Sequence, residues 1–248
     1  MNQQTTLLVD ADVPLYKAAF ASEVETDWGN DVWILYGNMA QAKEIFNQEI
    51  DDIRAAFPPD SNVVLCLSDS SNFRKGLMST YKDNRKKVRK PLLLKALRAW
   101  VDDMDEAVCS PTLEADDILG LLSHLPGHIM VSIDKDLKTV PGQHYNPGFP
   151  DDGVYTVTPD EAHYNHMYQT LCGDSTDGYK GCPGVGPVAA AKLLDVPVDN
   201  MWAAVQLAFS KKGINRCDAL VQARLARILR GDEHDFMGNL NLWSPDSE

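Results

Sequence analysis

The stretch Leu113-Glu114-Ala115-Asp116-Asp117-Ile118-Leu119-Gly120 combines three carboxylates within four positions with the apolar residues of a buried helix. Ser110-Pro111 predicts the start of this helix, because serine caps free backbone amides and proline fits the first helical position. Glu114 and Asp117 then share one helix face. One or two acids at a helix start are favourable through the helix dipole alone. Three grouped acids repel one another unless a cation lies among them, so an ordinary acidic helix start and a metal site are competing interpretations.

Three apolar runs, each followed closely by an aspartate, predict buried strands around this helix. They are residues 5–9 before Asp10, residues 62–67 before Asp69, and residues 128–133 before Asp134. Helices are predicted between them, at 14–20, 32–57 and 92–101, with a further short strand at 107–108. Strands that alternate with helices predict an α/β fold with a largely parallel sheet.

The three aspartates that follow these strands are expected to meet at one edge of the sheet, because ligands of such sheets bind at the carboxyl ends of the strands. A single aspartate in this position is commonly a turn residue. Three of them, together with the acidic helix, favour a cluster that holds a metal ion.

The composition of the 248-residue chain is that of an ordinary globular protein, with 44% hydrophobic residues, and allows one large domain or one domain with a small appendage. No run approaches the roughly 20 apolar residues of a membrane helix. The first residues show no signal-like segment, so we expect a cytoplasmic protein without a membrane partner. Five scattered cysteines predict reduced thiols, with Cys66 inside a strand. The histidine spacing does not suit zinc, which favours a hard metal that prefers oxygen ligands.

The charge of the chain is distributed unevenly. The formal net charge is −13, yet residues 74–98 contain ten basic residues and one acid, a net charge of +9 that leaves −22 on the rest. A basic segment on an acidic body is the electrostatic footprint of a nucleic-acid contact. The competing interpretation is a solvated basic helix face.

The C-terminal part of the sequence is rich in glycine before its last helices. A Gly/Pro-rich connection after Pro141 leads to an expected edge strand at 154–157 and a helix at 159–171. Gly173 to Gly186 then leads into an alanine-rich helix. Without a Gly-Lys-Ser/Thr sequence this is not a P-loop. It suits a helix–hairpin–helix, in which glycines let backbone amides approach a phosphate, or a plain turn between helices.

The final predicted helices are at 201–209 and 219–229. Arg224, Arg227 and Arg230 share one face of the second, and we expect a solvated face here rather than a DNA contact.

These motifs, in this order, resemble the flap endonuclease / 5′-nuclease superfamily, most of all the bacteriophage-type 5′→3′ exonucleases. The matching blocks are Val9-Asp10-Ala11-Asp12, Leu67-Ser68-Asp69 with Phe73-Arg74, Tyr81-Lys82-Asp83-Asn84-Arg85, Glu114-Ala115-Asp116-Asp117, Asp134-Lys135-Asp136, and Gly173-Asp174-Ser175-Thr176-Asp177 with the glycine hairpin at 181–186. The resemblance covers about residues 5–195. It implies a PIN-like catalytic domain at 1–170 with a helical arch at about 74–98. A helix–hairpin–helix subdomain with the C-terminal helices follows at 171–248.

The resemblance also implies a metal-dependent mechanism. Two Mg²⁺ ions, with Mn²⁺ as a substitute, would activate a water that attacks the phosphodiester and leaves a 5′-phosphate. The acids implied to hold the first metal region, directly or through water, are Asp10, Asp69, Glu114, Asp116 and Asp117, and those of the second are Asp134, Asp136, Asp174 and Asp177. Lys82 and Arg85 correspond to catalytic residues that neutralise charge on the scissile phosphate. We interpret Asp12 as a helix cap rather than a ligand.

The implied DNA contacts are Arg74, Tyr81, Lys86, Lys87, Arg89, Lys90, Gly184, Gly186 and Lys192. Among them, Tyr81 would stack on an unpaired base, and the basic residues at 86–90 would line the arch for a single strand. The hairpin would grip duplex phosphates and hold a K⁺ ion. Departures from the family pattern, such as Ala11 in place of glycine and Lys17 in place of arginine, leave the metal ligands intact.

The function that the resemblance implies is a 5′→3′ exonuclease or flap endonuclease. Its partners would be duplex DNA with a 5′ end, nick, gap or flap, RNA–DNA hybrids at primers, and replication proteins, in the host cytoplasm if the chain is phage-encoded. The competing hypotheses are a catalytically weak structure-specific DNA-binding protein and a PIN-type ribonuclease. The intact acid set disfavours the first, and the glycine hairpin with the basic segment disfavours the second. A phosphate-binding metabolic protein is disfavoured because no nucleotide loop is present.

Overall fold

The computed structural model describes residues 4–245, in which a largely parallel sheet is flanked by helices. The strands are β1 Thr6–Asp10, β2 Glu23–Asp27, β3 Trp33–Gly37, β4 Asn62–Leu67, β5 Ala107–Cys109, β6 His128–Val131, β7 Gly142–Tyr145 and β8 Val154–Val157. The α-helices are α1 Asp12–Ala21, α2 Met39–Ala55, α3 Arg74–Leu77, α4 Leu94–Asp102, α5 Ala115–Leu122, α6 Pro159–Cys172, α7 Pro187–Leu193, α8 Met201–Ser210 and α9 Arg216–Ala226. Short 3-10 helices occupy Asp83–Lys87, Lys135–Thr139, Pro150–Asp152 and Val198–Asn200.

The main sheet has the strand order β5-β4-β1-β6-β7-β8, and every pairing in it is parallel except that of the edge strand β8 with β7. This confirms the predicted α/β fold. Strand β1 lies between β4 and β6, with Asp10 opposite Cys66 and Val9 opposite Val131. The carboxyl ends of these three strands therefore lie side by side.

Alternate residues of β1 point to opposite faces of the sheet, and helices pack on both faces. Leu7 and Val9 pack into a core with residues of α1, α2 and α4, and Leu8 packs against α5 on the other face. On that face Gly120 is required, since a Cβ there would collide with the carbonyl oxygen of Leu229. The glycine that ends the acidic stretch thus admits the C-terminal backbone.

The predicted start of the acidic helix was wrong. Glu114 is the N-cap of α5, and it forms a capping box with Asp117. Ser110 instead accepts the Leu113 amide in a turn, and Thr112 has a φ of +63°. Pro111 therefore sits in a turn, a position that proline favours as much as a helix start.

The helix predicted over 32–57 was also wrong in its first part. Residues 33–37 form β3, which pairs with β2 as an antiparallel ribbon. Aromatic and β-branched side chains favour this strand. Helix α2 begins only at Met39, where the Asn38 side chain accepts the amides of Ala40 and Gln41.

Two smaller differences concern the C-terminal half. Strand β7 lies inside the connection predicted to be irregular, where Gly142 has a φ of +134°. Helix α9 ends at Ala226 instead of continuing to 229. The edge strand β8 and helices α6 and α8 are confirmed within one residue or so of their predicted ends.

Helices α6 to α9 form a separate apolar cluster around Met167, Leu171, Val205, Phe209 and Trp243. The domain boundary near residue 170 stays a prediction. Each of the five cysteines is a free thiol, and Cys66 is buried in β4 as predicted. Across residues 4–245 no helix has the length and apolar character needed to cross a membrane.

Candidate active site

An acidic cavity of about 570 Å³ lies at the carboxyl edge of the sheet. Strand ends, the start of α5 and the loop after α6 all contribute to its lining. Of the nine predicted metal ligands the cavity gathers seven, which are Asp10, Glu114, Asp116, Asp134, Asp136, Asp174 and Asp177. Asp12, Lys82 and Arg85 also line it.

The local fold fixes several of these carboxylates. Asp10 is the last residue of β1, and its Oδ2 accepts a hydrogen bond from Ser132 Oγ at 3.0 Å. Asp134 caps the 3-10 turn after β6, where its Oδ1 accepts the Asp136 amide at 2.8 Å. Asp174 accepts the amides of Thr176 and Asp177 in its own loop. Backbone amides and hydroxyls therefore hold the acids before any ligand binds.

The cavity raises the proton affinity of its inner acids. Burial, with Asp12 and Asp134 nearby, raises the pKa of Asp10 to about 7. Burial and the charges of Asp134 and Asp174 raise the pKa of Asp136 to about 7. Burial, reinforced by Asp10, also raises the pKa of Asp116 well above its ordinary value. The acids therefore compete for protons unless another positive charge is present.

The donor set fits a hard divalent cation. Every donor named above is a carboxylate oxygen, the ligand that Mg²⁺ and Mn²⁺ prefer. Asp116 Oδ1 is buried and accepts no hydrogen bond from any group in the described structure. Within residues 4–245 no three acids are yet as close together as the ligands of one ion. Like charges at one cavity repel one another, and a bound cation would remove that repulsion.

Two basic side chains oppose the acids at the cavity. Lys82 Nζ pairs with Glu114 Oε1 and lies 3.5 Å from Asp177 Oδ1. Arg85 Nη2 lies 2.6 Å from the same Asp177 oxygen. Lys82 has a φ of +58°, and its amide donates to the carbonyl of Asp177 at 2.8 Å. The basic segment is thereby attached to the loop after α6.

Asp117 and Arg74 do not have the roles predicted for them. Arg74 is 2% exposed and binds both carboxylate oxygens of Asp117, at 2.7 and 2.8 Å. It also donates to the backbone carbonyls of Leu225 and Arg227. Asp117 is fully buried and accepts the Leu229 amide at 3.2 Å. Both are structural: Arg74 has no surface for DNA, and Asp117 has no oxygen turned to the cavity.

Asp69 lies outside the cavity and is not placed there as a direct ligand. Its carboxylate accepts Ser71 Oγ at 2.5 Å and the Thr112 amide at 2.8 Å, and the hydroxyl and the amide together lower its pKa to about 2. It stabilises the turn that precedes α5.

Tyr81 is 1% exposed and packs with Tyr179 and Leu225, which contradicts stacking on a base. Its hydroxyl lies 2.7 Å from Asp177 Oδ2 and 3.1 Å from Glu114 Oε2. Burial would raise the pKa of Glu114, but Arg74 and Lys82 more than offset this and lower it to about 2.

Asp12 is not the helix cap that we expected. Ala11 occupies the cap position, and Asp12 lies in the first turn of α1, where its Oδ2 accepts the Ser68 amide at 3.2 Å. Its carboxylate faces the cavity and Arg98 Nη1, 3.7 Å away.

The arginines near the end of α9 are not on a solvated face. Arg227 is 5% exposed and binds Glu233 at 2.6 Å, and Arg224 donates to the carbonyl of Trp243. They hold the last segment of the chain against the helices. Because this segment crosses back over α9, a helical periodicity could not reveal their burial.

The predicted DNA contacts in the basic segment are on the surface. Lys87 and Lys90 are exposed, Lys86 pairs with Asp83, and Arg89 binds both carboxylate oxygens of Glu23 at 2.7 and 2.8 Å. This part of the chain contains the 3-10 helix Asp83–Lys87 between α3 and α4. The contacts themselves stay predictions.

The predicted hairpin contacts are also on the surface. Gly184 has a φ of +73°, and it is exposed together with Gly186 and Lys192 around the start of α7.

Sequence reasoning missed Gln169 and Ser132. Gln169 of α6 lines the cavity, and its Nε2 donates to Asp136 Oδ1 at 2.6 Å. Ser132 binds Asp10 as described above. The available signal was a polar residue near an acidic motif, with the serine two positions before Asp134 and the glutamine five positions before Asp174.

A family model described as "5'-3' exonuclease, N-terminal resolvase-like domain" matches residues 5–147. The exodeoxyribonuclease of Enterobacteria phage T3 is 28% identical over a region that covers 97% of this chain and 93% of that protein. The exonuclease of Escherichia phage T7 is also 28% identical, over a region that covers 96% of this chain and 93% of that protein. The bacteriophage T5 D15 flap endonuclease, solved as a pseudo-enzyme-product complex with DNA and metal ions, has the same fold. Its TM-score is 0.53 at 13% identity, and the match covers 90% of this chain and 97% of that chain.

Proposed function

Because the chain belongs to the 5′-3′ exonuclease family, we propose that its acidic cavity hydrolyses phosphodiester bonds of DNA in the 5′→3′ direction, as an exonuclease or flap endonuclease. One observation carries the proposal. Carboxylates from two strand ends, the start of α5 and the 174–177 loop surround one open cavity, and Lys82 and Arg85 stand against them. A cavity with both charges is suited to a phosphate and to the cations that would neutralise it.

Divalent cations, with Mg²⁺ as the proposed physiological ion and Mn²⁺ as a substitute, would be held by the acids of the cavity. Asp10, Glu114 and Asp116 would supply one group of oxygens, and Asp134, Asp136, Asp174 and Asp177 the other. Bound there, such ions would activate a water and stabilise charge on the attacked phosphate. Asp69 and Asp117 are not part of the proposal.

Lys82 and Arg85 would act on the phosphate itself. In the structure the Lys82 ammonium pairs with Glu114, and the Arg85 guanidinium pairs with Asp177. An entering phosphate can replace these carboxylates as the partner of the two cations, while the carboxylates turn to the divalent ions. The same side chains would then neutralise the charge that develops on the phosphate oxygens.

The proposed path of the DNA follows the exposed basic and glycine-rich surfaces. Lys86, Lys87, Arg89 and Lys90 would contact an unpaired 5′ strand, and Gly184, Gly186 and Lys192 would contact duplex phosphates through backbone amides and an ammonium group. The T5 D15 flap endonuclease, a structural neighbour, has been solved with DNA and metal ions. A K⁺ ion at the hairpin, RNA–DNA hybrid substrates and replication-protein partners belong to the same proposal.

The deciding experiment uses a nicked duplex with a short 5′ flap, labelled at the 3′ end of the flap strand. We expect shortening from the 5′ end in Mg²⁺ and none in EDTA. Asp134→Asn should abolish cleavage and retain the gel shift, whereas Asp151→Asn, an exposed acid outside the cavity, should cleave normally. A gel shift without cleavage in Mg²⁺ and Mn²⁺ would support a DNA-binding protein instead, and cleavage confined to an RNA strand would support a ribonuclease.

A further inference from the structure

Tyr81 touches one acid from each side of the cavity. Its hydroxyl lies 2.7 Å from Asp177 Oδ2, in the loop after α6, and 3.1 Å from Glu114 Oε2, at the start of α5. A phenol carries one proton, so this proton is shared between two carboxylates that come from distant parts of the sequence. The hydroxyl therefore fixes the position of each acid relative to the other.

The hydroxyl divides the oxygens of each carboxylate between two tasks. Glu114 Oε2 and Asp177 Oδ2 face Tyr81, and Arg74 Nη1 also contacts Glu114 Oε2 at 3.2 Å. The other oxygens, Glu114 Oε1 and Asp177 Oδ1, face the cavity cations Lys82 and Arg85. One oxygen of each acid is thus held by the protein interior, and the other is presented to whatever positive charge occupies the cavity.

Tyr81 itself has little freedom to move. Its ring is buried with Tyr179, Leu225 and Ala226, and its amide donates to the carbonyl of Met78 at 3.0 Å. The next residue, Lys82, has a left-handed backbone conformation, and its ammonium lies 5.2 Å from the centroid of the Tyr81 ring, at the cavity. These two neighbouring residues therefore contact different oxygens of Glu114.

We propose that Tyr81 is a positioning residue whose hydroxyl holds the carboxylates of Glu114 and Asp177 at a fixed distance from each other, so that both acids can bind divalent cations in the cavity. The inference rests on the proposed function, because it assigns the cavity oxygens to those cations. In this role the hydroxyl of Tyr81 acts on the two acids, whereas in base stacking the ring would contact the DNA.

The test compares Tyr81→Phe, which keeps the ring, with Tyr145→Phe, which removes a hydroxyl from a tyrosine buried in the sheet core. Loss of a group that orients metal ligands typically costs about 10–100-fold in metal affinity. Calorimetric titration with Mn²⁺ alone should therefore show affinity reduced by this factor in Tyr81→Phe and unchanged in Tyr145→Phe. The Mg²⁺ concentration for half-maximal cleavage should rise by a similar factor, with DNA binding in EDTA unchanged.

Excess metal separates positioning from damage to the fold. If Tyr81→Phe is folded but poorly positioned, raising Mg²⁺ about 100-fold should restore most of the cleavage rate, in proportion to the lost affinity. Wild-type Mn²⁺ affinity in Tyr81→Phe would overturn the proposal, and so would a cleavage defect that no amount of metal relieves. Absence of cleavage by the wild-type protein would refute the proposed function alone, since the Mn²⁺ titration still reports on Tyr81.

Discussion

Replacing Asp117 by asparagine should unfold the protein more easily without a direct effect on metal binding. The carboxylate is fully buried and binds both terminal nitrogens of Arg74, which is 2% exposed. Asparagine has almost the same shape but no charge. It would leave the guanidinium of Arg74 in the interior with only the shared contact to Glu114 as ionic compensation.

The magnitude follows from the burial of the pair. Breaking a buried ion pair by removing one charge costs about 3–5 kcal/mol, because the remaining charge stays desolvated. For a chain of this size each kcal/mol lowers the midpoint of thermal unfolding by about 2–4 °C, so we expect a decrease of roughly 6–20 °C. A surface acid would change the midpoint far less, since exposed ion pairs contribute about 0–1 kcal/mol.

The assay is urea and thermal unfolding in EDTA, followed by Mn²⁺ titration at a temperature where the variant is folded. Asp134→Asn is the matched control, since Asp134 is an exposed acid that lines the cavity, whereas Asp117 is buried away from it. It should keep or slightly gain stability, because repulsion is relieved, and should lose metal affinity. The reasoning is refuted if Asp117→Asn keeps wild-type stability to within about 1 kcal/mol, the range expected of an exposed pair, and loses Mn²⁺ binding.

Three further predictions concern the cavity. The pKa values of the Asp10 and Asp136 carboxyls are raised to about 7 in the folded protein. The stability that these protonated carboxyls contribute is complete at a pH below their pKa in the unfolded chain, and it is lost as pH rises through about 7. The protein in EDTA should therefore melt at a lower temperature at about pH 8 than at about pH 6, and Asp136→Asn should reduce the difference. Lys82→Ala should slow single-turnover cleavage far more than it weakens duplex binding, and an equal loss in both would make Lys82 a simple anchor. Gln169→Met should raise the Mn²⁺ dissociation constant about 10-fold or more, since Gln169 orients Asp136. The control is Asn165→Ala, which removes another side-chain hydrogen bond made by α6, from Asn165 to the Lys138 carbonyl. It should leave the Mn²⁺ dissociation constant unchanged.

The parts of the fold that the sequence predicted well are those set by short-range patterns. Strands β1, β4 and β6 are apolar runs whose ends carry an acid or lead directly to one, so their position and the acidic edge follow from local composition. The ribbon β2–β3 was missed because residues 33–35 fit a helical apolar periodicity as well as a strand. Only the Asn38 cap separates the two alternatives.

The site was predicted less completely, because the role of an acid depends on which side chain reaches it. Asp116 and Asp117 are adjacent in sequence, yet one lines the cavity and the other is covered by Arg74. Arg74 in turn is placed by carbonyls at the end of α9, far along the chain. Tyr81 is buried by the same segment. No local pattern contains that information, which is why the buried pair and the hydroxyl bridge emerged only from the folded structure.

The contacts of Arg74 also bear on how the molecule unfolds. One buried guanidinium joins α3, the start of α5 and the end of α9, beside further contacts such as those of Gln169 with Asp136 and of the Leu229 amide with Asp117. Unfolding of one of these elements would remove partners from a desolvated charge, which destabilises the elements that remain. The two predicted domains should accordingly melt as one cooperative unit. In the sheet expressed without the C-terminal helices, the Arg74 guanidinium would lose the carbonyls of Leu225 and Arg227 as partners.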